Sequence, residues 1–140
     1  MDEATALGRL AESDVGVLAT VKPDGGAHLV PVVFASLDSD IVTAIDHKPK
    51  TTFRLQRLTN IRSNPRVSLL VHHYTNEWEG LWWVRVDGHG EILEQGTARA
   101  EAIEALQAKY PQYRHRPPSG PVITIAVDKV VHWSGSGSED

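Results

Sequence analysis

Runs of β-branched and apolar residues, separated by turn residues, fill most of the chain and predict a protein built mainly on sheet. The runs predict seven strands, over residues 15–21, 27–35, 41–45, 67–74, 81–86, 89–93 and 122–133. Apolar residues at helical spacing predict three short helices, over 2–13, 53–63 and from 97 onward. Consecutive strands with short turns, without the strand–helix alternation of a parallel sheet, predict an α+β fold with an antiparallel barrel.

Tight turns join the first three strands. Residues 22–26 (KPDGG) contain the Pro, Asp and Gly that such turns use, and residues 38–40 make a second reversal. We therefore expect the three strands to form an antiparallel meander. Pro31 lies inside the second strand and has no N–H to donate, which predicts a bulge or an open edge there.

Helix caps and chain ends complete the expected organisation. Thr51 or Thr52 can cap the second helix, and Thr97 can cap the third. No linker divides the chain, so we expect one domain over residues 1–133. Residues 134–140 are rich in Gly and Ser, which predicts a flexible tail.

Composition excludes several classes of protein. The 140 residues are 41% hydrophobic and 23% charged, which is typical of a globular domain rather than a disordered chain. No apolar run is long enough to span a bilayer, and the acidic N-terminus does not resemble a secretory signal. Cysteine is absent, which excludes disulfides and thiolate chemistry. We expect a small cytoplasmic protein.

Basic residues are concentrated in one segment. Six of the 14 Lys and Arg residues lie within residues 48–66, which contain no Asp or Glu: Lys48, Lys50, Arg54, Arg57, Arg62 and Arg66. The remainder holds 8 basic and 18 acidic residues, so the segment favours one discrete anion over a broad nucleic-acid surface. The helix N-terminus near Lys50 and the Arg pair at 54 and 57 suit a phosphate. The alternative is a solvated basic helix face.

The aromatic residues are skewed towards tryptophan, with 4 Trp against 3 Tyr and 2 Phe. Trp82 and Trp83 are adjacent on a predicted strand, so their side chains should point to opposite sides. At most one then enters the core, while the other faces a cavity or a partner; the alternative is that both simply pack. With Trp78 nearby, the cations and aromatic rings suit a ligand that has a phosphate end and a flat ring.

Other catalytic motifs are missing from the sequence. It contains no Gly-x-Ser-x-Gly elbow, no phosphate-binding P-loop and no Gly-x-Gly-x-x-Gly fingerprint. His72 and His73 are adjacent on a strand and face opposite sides, so they cannot chelate one ion. The other five histidines lack the close spacings of zinc sites, and we expect no metal.

Several segments together resemble one known family. They are residues 16–20 (GVLAT), 23–25 (PDG), 28–34 (HLVPVVF), 59–71 (TNIRSNPRVSLLV) and 82–88 (WWVRVDG). In this order and spacing the chain resembles, over residues 5–133, the pyridoxamine 5′-phosphate oxidase-like (PPOX-class) flavin and deazaflavin oxidoreductases. The resemblance implies a split antiparallel β-barrel with short flanking helices, and a homodimer with two cofactor sites at its interface.

The resemblance also implies a set of site residues. Arg57, three residues before Asn60, corresponds to the cation that binds the cofactor phosphate. The flat ring would lie on two strands, residues 29–33 and 42–45, and contact their backbone amides and Thr43. The cofactor-binding residues on these strands are then His28, Leu29, Val30, Pro31, Val32, Thr43 and Ala44. Trp82 or Trp83 would come from the other subunit.

The identity of the cofactor follows from departures within the family pattern. The strand that is basic in the oxidase is apolar here, and the C-terminal sequence that binds pyridoxal phosphate is not evident, which argues against vitamin B6 oxidation. The longer loop with Lys48 and Lys50 resembles that of members assigned to coenzyme F420. A polyglutamate tail on that cofactor would give these lysines and Arg54 carboxylates to bind. FMN is the alternative cofactor.

The resulting hypothesis is an F420-dependent oxidoreductase that transfers a hydride to or from a small organic molecule. The cofactor carries the chemistry, which accounts for the missing triad and metal. If a proton donor is needed, His28, His73 or Tyr74 could serve, as could water. The alternatives are an FMN-dependent enzyme of the same fold and a non-catalytic protein that binds flavin, deazaflavin or tetrapyrrole.

Overall fold

A computed structural model describes residues 1–45 and 55–137. Its strands are β1 (Gly16–Val21), β2 (Ala27–Val32), β3 (Ala35–Leu37), β4 (Asp40–Ala44), β5 (Arg66–His73), β6 (Trp82–Leu93) and β7 (Val122–Ser134). Its helices are α1 (Glu3–Glu12), α2 (Gln56–Ser63), α3 (Thr97–Lys109) and α4 (Pro111–His115), with a 3-10 turn at Trp78–Gly80. No helix in these ranges has both the length and the apolar character needed to cross a bilayer.

The strands form one sheet in the order β2-β1-β5-β6-β7-β4-β3, and every pairing is antiparallel. Side chains inside the barrel form the main core, which α1 and α2 extend: Leu10, Leu18, Phe34, Ile41, Leu58, Leu69, Val84, Val86, Ile123 and Ile125. A second cluster lies beneath α3 and includes Val42, Ala102, Leu106, Tyr113 and Val122. The predicted α+β architecture with an antiparallel barrel is confirmed.

The predicted meander of the first three strands is wrong. β2 pairs with β1 alone, whereas β4 pairs with β3 and β7 at the other side of the sheet. The chain leaves β2 at Val33 and Phe34, and the backbone N–H and C=O of Phe34 bond the Tyr110 hydroxyl instead of a neighbouring strand. The open edge expected from Pro31 is confirmed, because β2 is the terminal strand of the sheet.

Two helix starts differ from the expectation. The residue preceding α3 is Gly96, with a φ of +98°, and Thr97 is the first helical residue rather than the cap. Glycine suits this position because a side chain is strained at such a φ. α2 begins at Gln56 after Leu55, which makes no side-chain cap bond; the predicted caps Thr51 and Thr52 lie outside the described residues.

The C-terminal strand runs one residue beyond the predicted domain boundary at 133. β7 ends at Ser134, which is buried, and the Gly135 N–H donates to the Leu81 carbonyl at 2.7 Å. The ordered structure therefore includes the first residues of the segment predicted as a tail.

Candidate functional site

Asn60 fixes α2 onto the barrel. Its side chain is fully buried, its Nδ2 donates to Thr20 Oγ1 at 2.9 Å, and its Oδ1 accepts from Gln56 Nε2 at 2.7 Å. A buried amide needs such partners, because a polar group without one in the interior costs free energy. Asn60, predicted as a cofactor contact, thus has its side chain turned inward. Thr20 and Gln56 were missed at the sequence level, since nothing local shows that they meet Asn60.

Asn60→Ala is expected to lower the free energy of unfolding by about 2 kcal/mol, because it leaves the buried Thr20 hydroxyl without its partner. Urea unfolding followed by tryptophan fluorescence measures the change. Asn76→Ala, at an exposed loop position, is the control and should change stability by less than about 0.5 kcal/mol. Equal stability of the two variants would contradict the structural role given to Asn60.

Arg57 lies one turn before Asn60 on α2 and is half-buried. The helix packs on β1 and β6, with Ile61 against Gly90. Lys48, Lys50 and Arg54, the other predicted phosphate or tail contacts, lie outside the described residues. Of the four cations predicted to bind the cofactor, Arg57 is the one that lies within the described residues.

β2 presents its residues alternately to the two sides of the sheet. Leu29 and Pro31 are exposed on the outer side, while His28, Val30 and Val32 point inward. Within residues 1–45 and 55–137, β1 is the strand that pairs with β2. The second edge of β2 therefore offers backbone N–H and C=O groups that no described strand uses, as a flat polar ring would require.

His28 lies on the open strand β2 and points inward. It is the register partner of Thr20, whose hydroxyl bonds Asn60, so the imidazole is beside the α2 anchor. The Nδ1 of His28 is buried and has no hydrogen-bond partner among residues 1–45 and 55–137. A buried polar atom without a partner is unusual in a native interior and is a feature of binding and catalytic sites.

The β4 residues predicted to contact the ring have buried side chains. Thr43 is 2% exposed and its Oγ1 donates to the Val33 carbonyl at 2.7 Å. Ala44 packs in the cluster beneath α3. A ring near β4 would therefore meet backbone or the strand end rather than these side chains.

Trp82 and Trp83 point to opposite sides of the sheet, as the strand alternation predicts. Trp82 points inward, packs against the core and stacks on His73 with ring centroids 5.9 Å apart, and the Arg9 guanidinium lies 5.1 Å from its ring. Trp83 faces outward beside Trp133, its register partner on β7. Trp78 is 72% exposed.

The structure does not bring the tryptophans and α2 together within one chain. Trp82 begins β6, whereas α2 meets the same strand at Gly90, eight residues further on. Eight residues of strand correspond to roughly 26 Å. A site that uses both groups requires a second copy of the chain.

The outer face of the sheet carries three cross-strand rows. They are Ala19–Ser68–Asp87–Lys129, Val17–Leu70–Arg85–Val131 and His72–Trp83–Trp133. Arg85 donates to both carboxylate oxygens of Asp87 at 2.9 and 3.0 Å, and Ser68 Oγ donates at 2.6 Å. Chiefly the bonds from Arg85 hold the pKa of Asp87 below its usual value. The middle of the face is therefore apolar around an internally neutralised ion pair, with the exposed Lys129 at the end of the first row. A shallow groove of about 1020 Å³ crosses that first row.

The histidines that the structure describes do not form a cluster. His72 and His73 face opposite sides of β5, and His89 pairs with Asp128 at the other end of the sheet. In the described parts of the chain, no three His, Asp or Glu side chains are placed to share an ion.

Comparison with known proteins places this fold and sequence in a family. The chain resembles the conserved hypothetical protein Rv2991 of Mycobacterium tuberculosis (25% identity over 96% of this chain and 86% of that chain, TM-score 0.78). It also resembles an FAD-binding protein (mll6688) of Mesorhizobium loti, with 22% identity over 94% of this chain and 94% of that chain and a TM-score of 0.74. A third similar structure is the heme storage protein HutZ of Vibrio cholerae, with 14% identity over 94% of this chain and 93% of that chain and a TM-score of 0.72. No curated protein matches it in sequence. A family model described as pyridoxamine 5′-phosphate oxidase matches residues 2–134, so the chain belongs to that family.

Proposed function

We propose that the protein is an F420-dependent oxidoreductase that transfers a hydride to or from a small organic molecule, with FMN as the alternative cofactor. The observation that carries the proposal is the open edge of β2. This strand bears His28, whose buried Nδ1 has no hydrogen-bond partner among the described residues, and its neighbour β1 packs against the helix that bears Arg57. Family membership over residues 2–134 supports a flavin-type cofactor at this place.

The residues at this place suit the parts of such a cofactor. The open β2 edge offers donors and acceptors to the polar edge of a flat ring, and Arg57 offers a guanidinium to a phosphate. A bound deazaflavin or flavin supplies the hydride chemistry itself, so the chain has to hold, orient and shield it. Of the side chains considered as proton donors, His28 lies here, whereas His73 stacks on Trp82 far along the sheet.

The preference for F420 rests on the basic residues that precede α2. Lys48, Lys50 and Arg54 offer three cations beyond the one that a single phosphate needs, which suits a tail with several carboxylates. The FAD-binding neighbour from Mesorhizobium loti favours the flavin alternative.

We further propose that two copies associate through the outer face of the sheet. Its central row, Val17–Leu70–Arg85–Val131, is apolar apart from Arg85, which Asp87 already neutralises, so this row can be buried without leaving a charge unpaired. A two-fold axis would bring the same face of each copy together. A site formed by α2 of one chain and the tryptophans of the other requires a dimer of this kind.

Titration of the purified protein with F420 and separately with FMN, followed by tryptophan fluorescence, tests the cofactor. We expect both to quench the emission and F420 to bind more tightly. Tighter binding of FMN would mean that FMN, not F420, is the cofactor, while the proposed reaction class would stand. If neither quenches, the proposal is overturned.

Arg57→Ala is expected to weaken cofactor binding by about 1–3 kcal/mol, the scale of a charge-assisted hydrogen bond to phosphate. The same titration measures it, and circular dichroism checks the fold. Arg62→Ala is a matched control, because Arg62 is an exposed arginine on the same helix and should leave the affinity unchanged. Unchanged affinity in the Arg57 variant would mean that the phosphate lies elsewhere.

A non-catalytic heme-binding protein is the second candidate. It is favoured by the exposed His72 imidazole in a row with Trp83 and Trp133, since an imidazole can ligate iron beside stacking rings, and by the neighbouring heme storage protein. Titration with heme, followed at the Soret band, separates the candidates. A saturating one-to-one band shift, together with no turnover of reduced F420 or FMN on a broad acceptor panel, would favour this reading.

A further inference from the structure

Lys109 and Tyr110, at the end of α3, hold the chain where it leaves β2. The Tyr110 hydroxyl lies 3.0 Å from the Phe34 nitrogen, 2.7 Å from the Phe34 oxygen and 2.8 Å from the Asp14 oxygen. The Lys109 ammonium donates to the Phe34 oxygen at 2.9 Å and to the Ser13 oxygen at 2.6 Å. Both backbone polar groups of Phe34, its N–H and its C=O, are thus bonded by side chains 75 and 76 residues away.

Lys109 and Tyr110 form a polar clasp around Phe34, and burying their polar groups costs free energy. The Lys109 ammonium lies 4.2 Å from the Phe34 ring centroid and 5.3 Å from that of Tyr110, and burial lowers its pKa. Burial likewise raises the pKa of Tyr110. An apolar side chain would fill the same space without the desolvation of a cation. The clasp also sets an orientation, because its hydrogen bonds hold the two peptide units on either side of the Phe34 Cα.

A third side chain bonds the peptide unit that contains the Phe34 N–H, at its carbonyl end. Thr43 Oγ1 donates to the Val33 carbonyl at 2.7 Å. Two consecutive peptide units just after β2 are therefore fixed from β4 and from α3. This matters because β2, with β1 as its one described partner strand, gets less support from the sheet than an inner strand does.

We propose that Lys109 and Tyr110 are positioning residues for the cofactor ring: by fixing the Phe34 peptide they set the path of the open β2 edge on which the ring lies. The inference rests on the proposed function, because it takes β2 as the ring-binding strand. Neither side chain needs to touch the cofactor. Loosening the clasp shifts the donors and acceptors of β2 relative to the ring, and sub-ångström shifts of that kind weaken oriented binding strongly.

The test compares Lys109→Met and Tyr110→Phe in the full chain with Arg99→Met. Arg99 is a matched control because it lies on the same helix and also bonds carbonyls, those of Pro118 at 3.1 Å and Gly120 at 2.8 Å, without touching β2 or the Phe34 peptide. Affinity, the absorption maximum of the bound cofactor and its midpoint potential are measured at a temperature where all variants are folded.

We expect both clasp variants to lose about tenfold to a hundredfold in affinity and to shift the spectrum or potential of bound cofactor. Lys109→Arg should recover part of the loss, and Arg99→Met should keep wild-type values even where its melting temperature falls. Wild-type affinity and spectrum in the clasp variants, or the same loss in the Arg99 variant, would overturn this inference alone. A wild-type protein that binds neither F420 nor FMN overturns the proposed function and this inference together.

Discussion

Leu70→Lys is expected to convert a dimeric protein into monomers and to abolish cofactor binding at concentrations that saturate the wild type. Leu70 lies on the outer face in the middle of the sheet, between its register partners Val17 and Arg85. A lysine there would be buried by a second copy next to Arg85, with the carboxylate of Asp87 already engaged. An unpaired buried charge costs about 3 kcal/mol or more, and a two-fold interface contains the position twice.

Sedimentation equilibrium and the fluorescence titration measure the two effects, and the dimer dissociation constant should rise more than about a hundredfold. Leu7→Lys is the control: Leu7 is a 39% exposed leucine on α1, away from the outer face, and its variant should stay dimeric and bind cofactor. Because position 70 is partly exposed in the single chain, the lysine can extend into water there, and the monomer should remain folded. A monomeric wild type, or a dimeric Leu70 variant, would disprove the assignment of this face.

The strands could be predicted because their signal is local. Alternation and turn residues located the strand-forming segments, and the same alternation placed Trp82 and Trp83 on opposite sides. The division into strands was less accurate: the predicted strand 27–35 covers β2 and the first residue of β3, and the predicted strands 81–86 and 89–93 are the single strand β6. Pairing is not a local property. The second neighbour of β1 is β5, which follows 45 residues later, and no feature between residues 21 and 66 indicates that choice. Closure of the barrel determines which strand pairs with β1, and the predicted meander was therefore wrong.

The site could be predicted only in part, for a related reason. Spacing put Arg57 and Asn60 on neighbouring positions of one helix, but how deeply each is buried depends on what lies beneath the helix. The aromatic residues and the helix bearing Arg57 were expected to face one ligand, and the distance along β6 between Trp82 and α2 became visible only in the fold. The clasp on Phe34 joins residues far apart in sequence, and neither a lysine nor a tyrosine near the end of a helix signals it.

Gly88→Ala is expected to lower the free energy of unfolding by at least about 3 kcal/mol, the largest single effect on stability predicted for the fold. The register between β6 and β7 shifts between Asp87 and Gly88, and a Cβ at Gly88 would lie 2.2 Å from the Ala126 carbonyl oxygen. The clash is with backbone, which no rotamer change relieves. β6 and β7 form the longest pairing of the sheet, so the strain cannot be confined to an edge.

Gly8→Ala is the matched control for this substitution. Gly8 lies within α1 with nothing within 4 Å of an added Cβ, so alanine should raise stability by about 0.5–1 kcal/mol through helix propensity. Urea unfolding gives both values, and a Gly88 variant as stable as the wild type would show that the two strands do not approach so closely.

The register shift also has a consequence for the site, because the residues of β6 that follow it include Gly90, on which α2 packs. If Gly88→Ala straightens β6, it should displace α2 and with it Arg57, so cofactor affinity should fall in any fraction that remains folded.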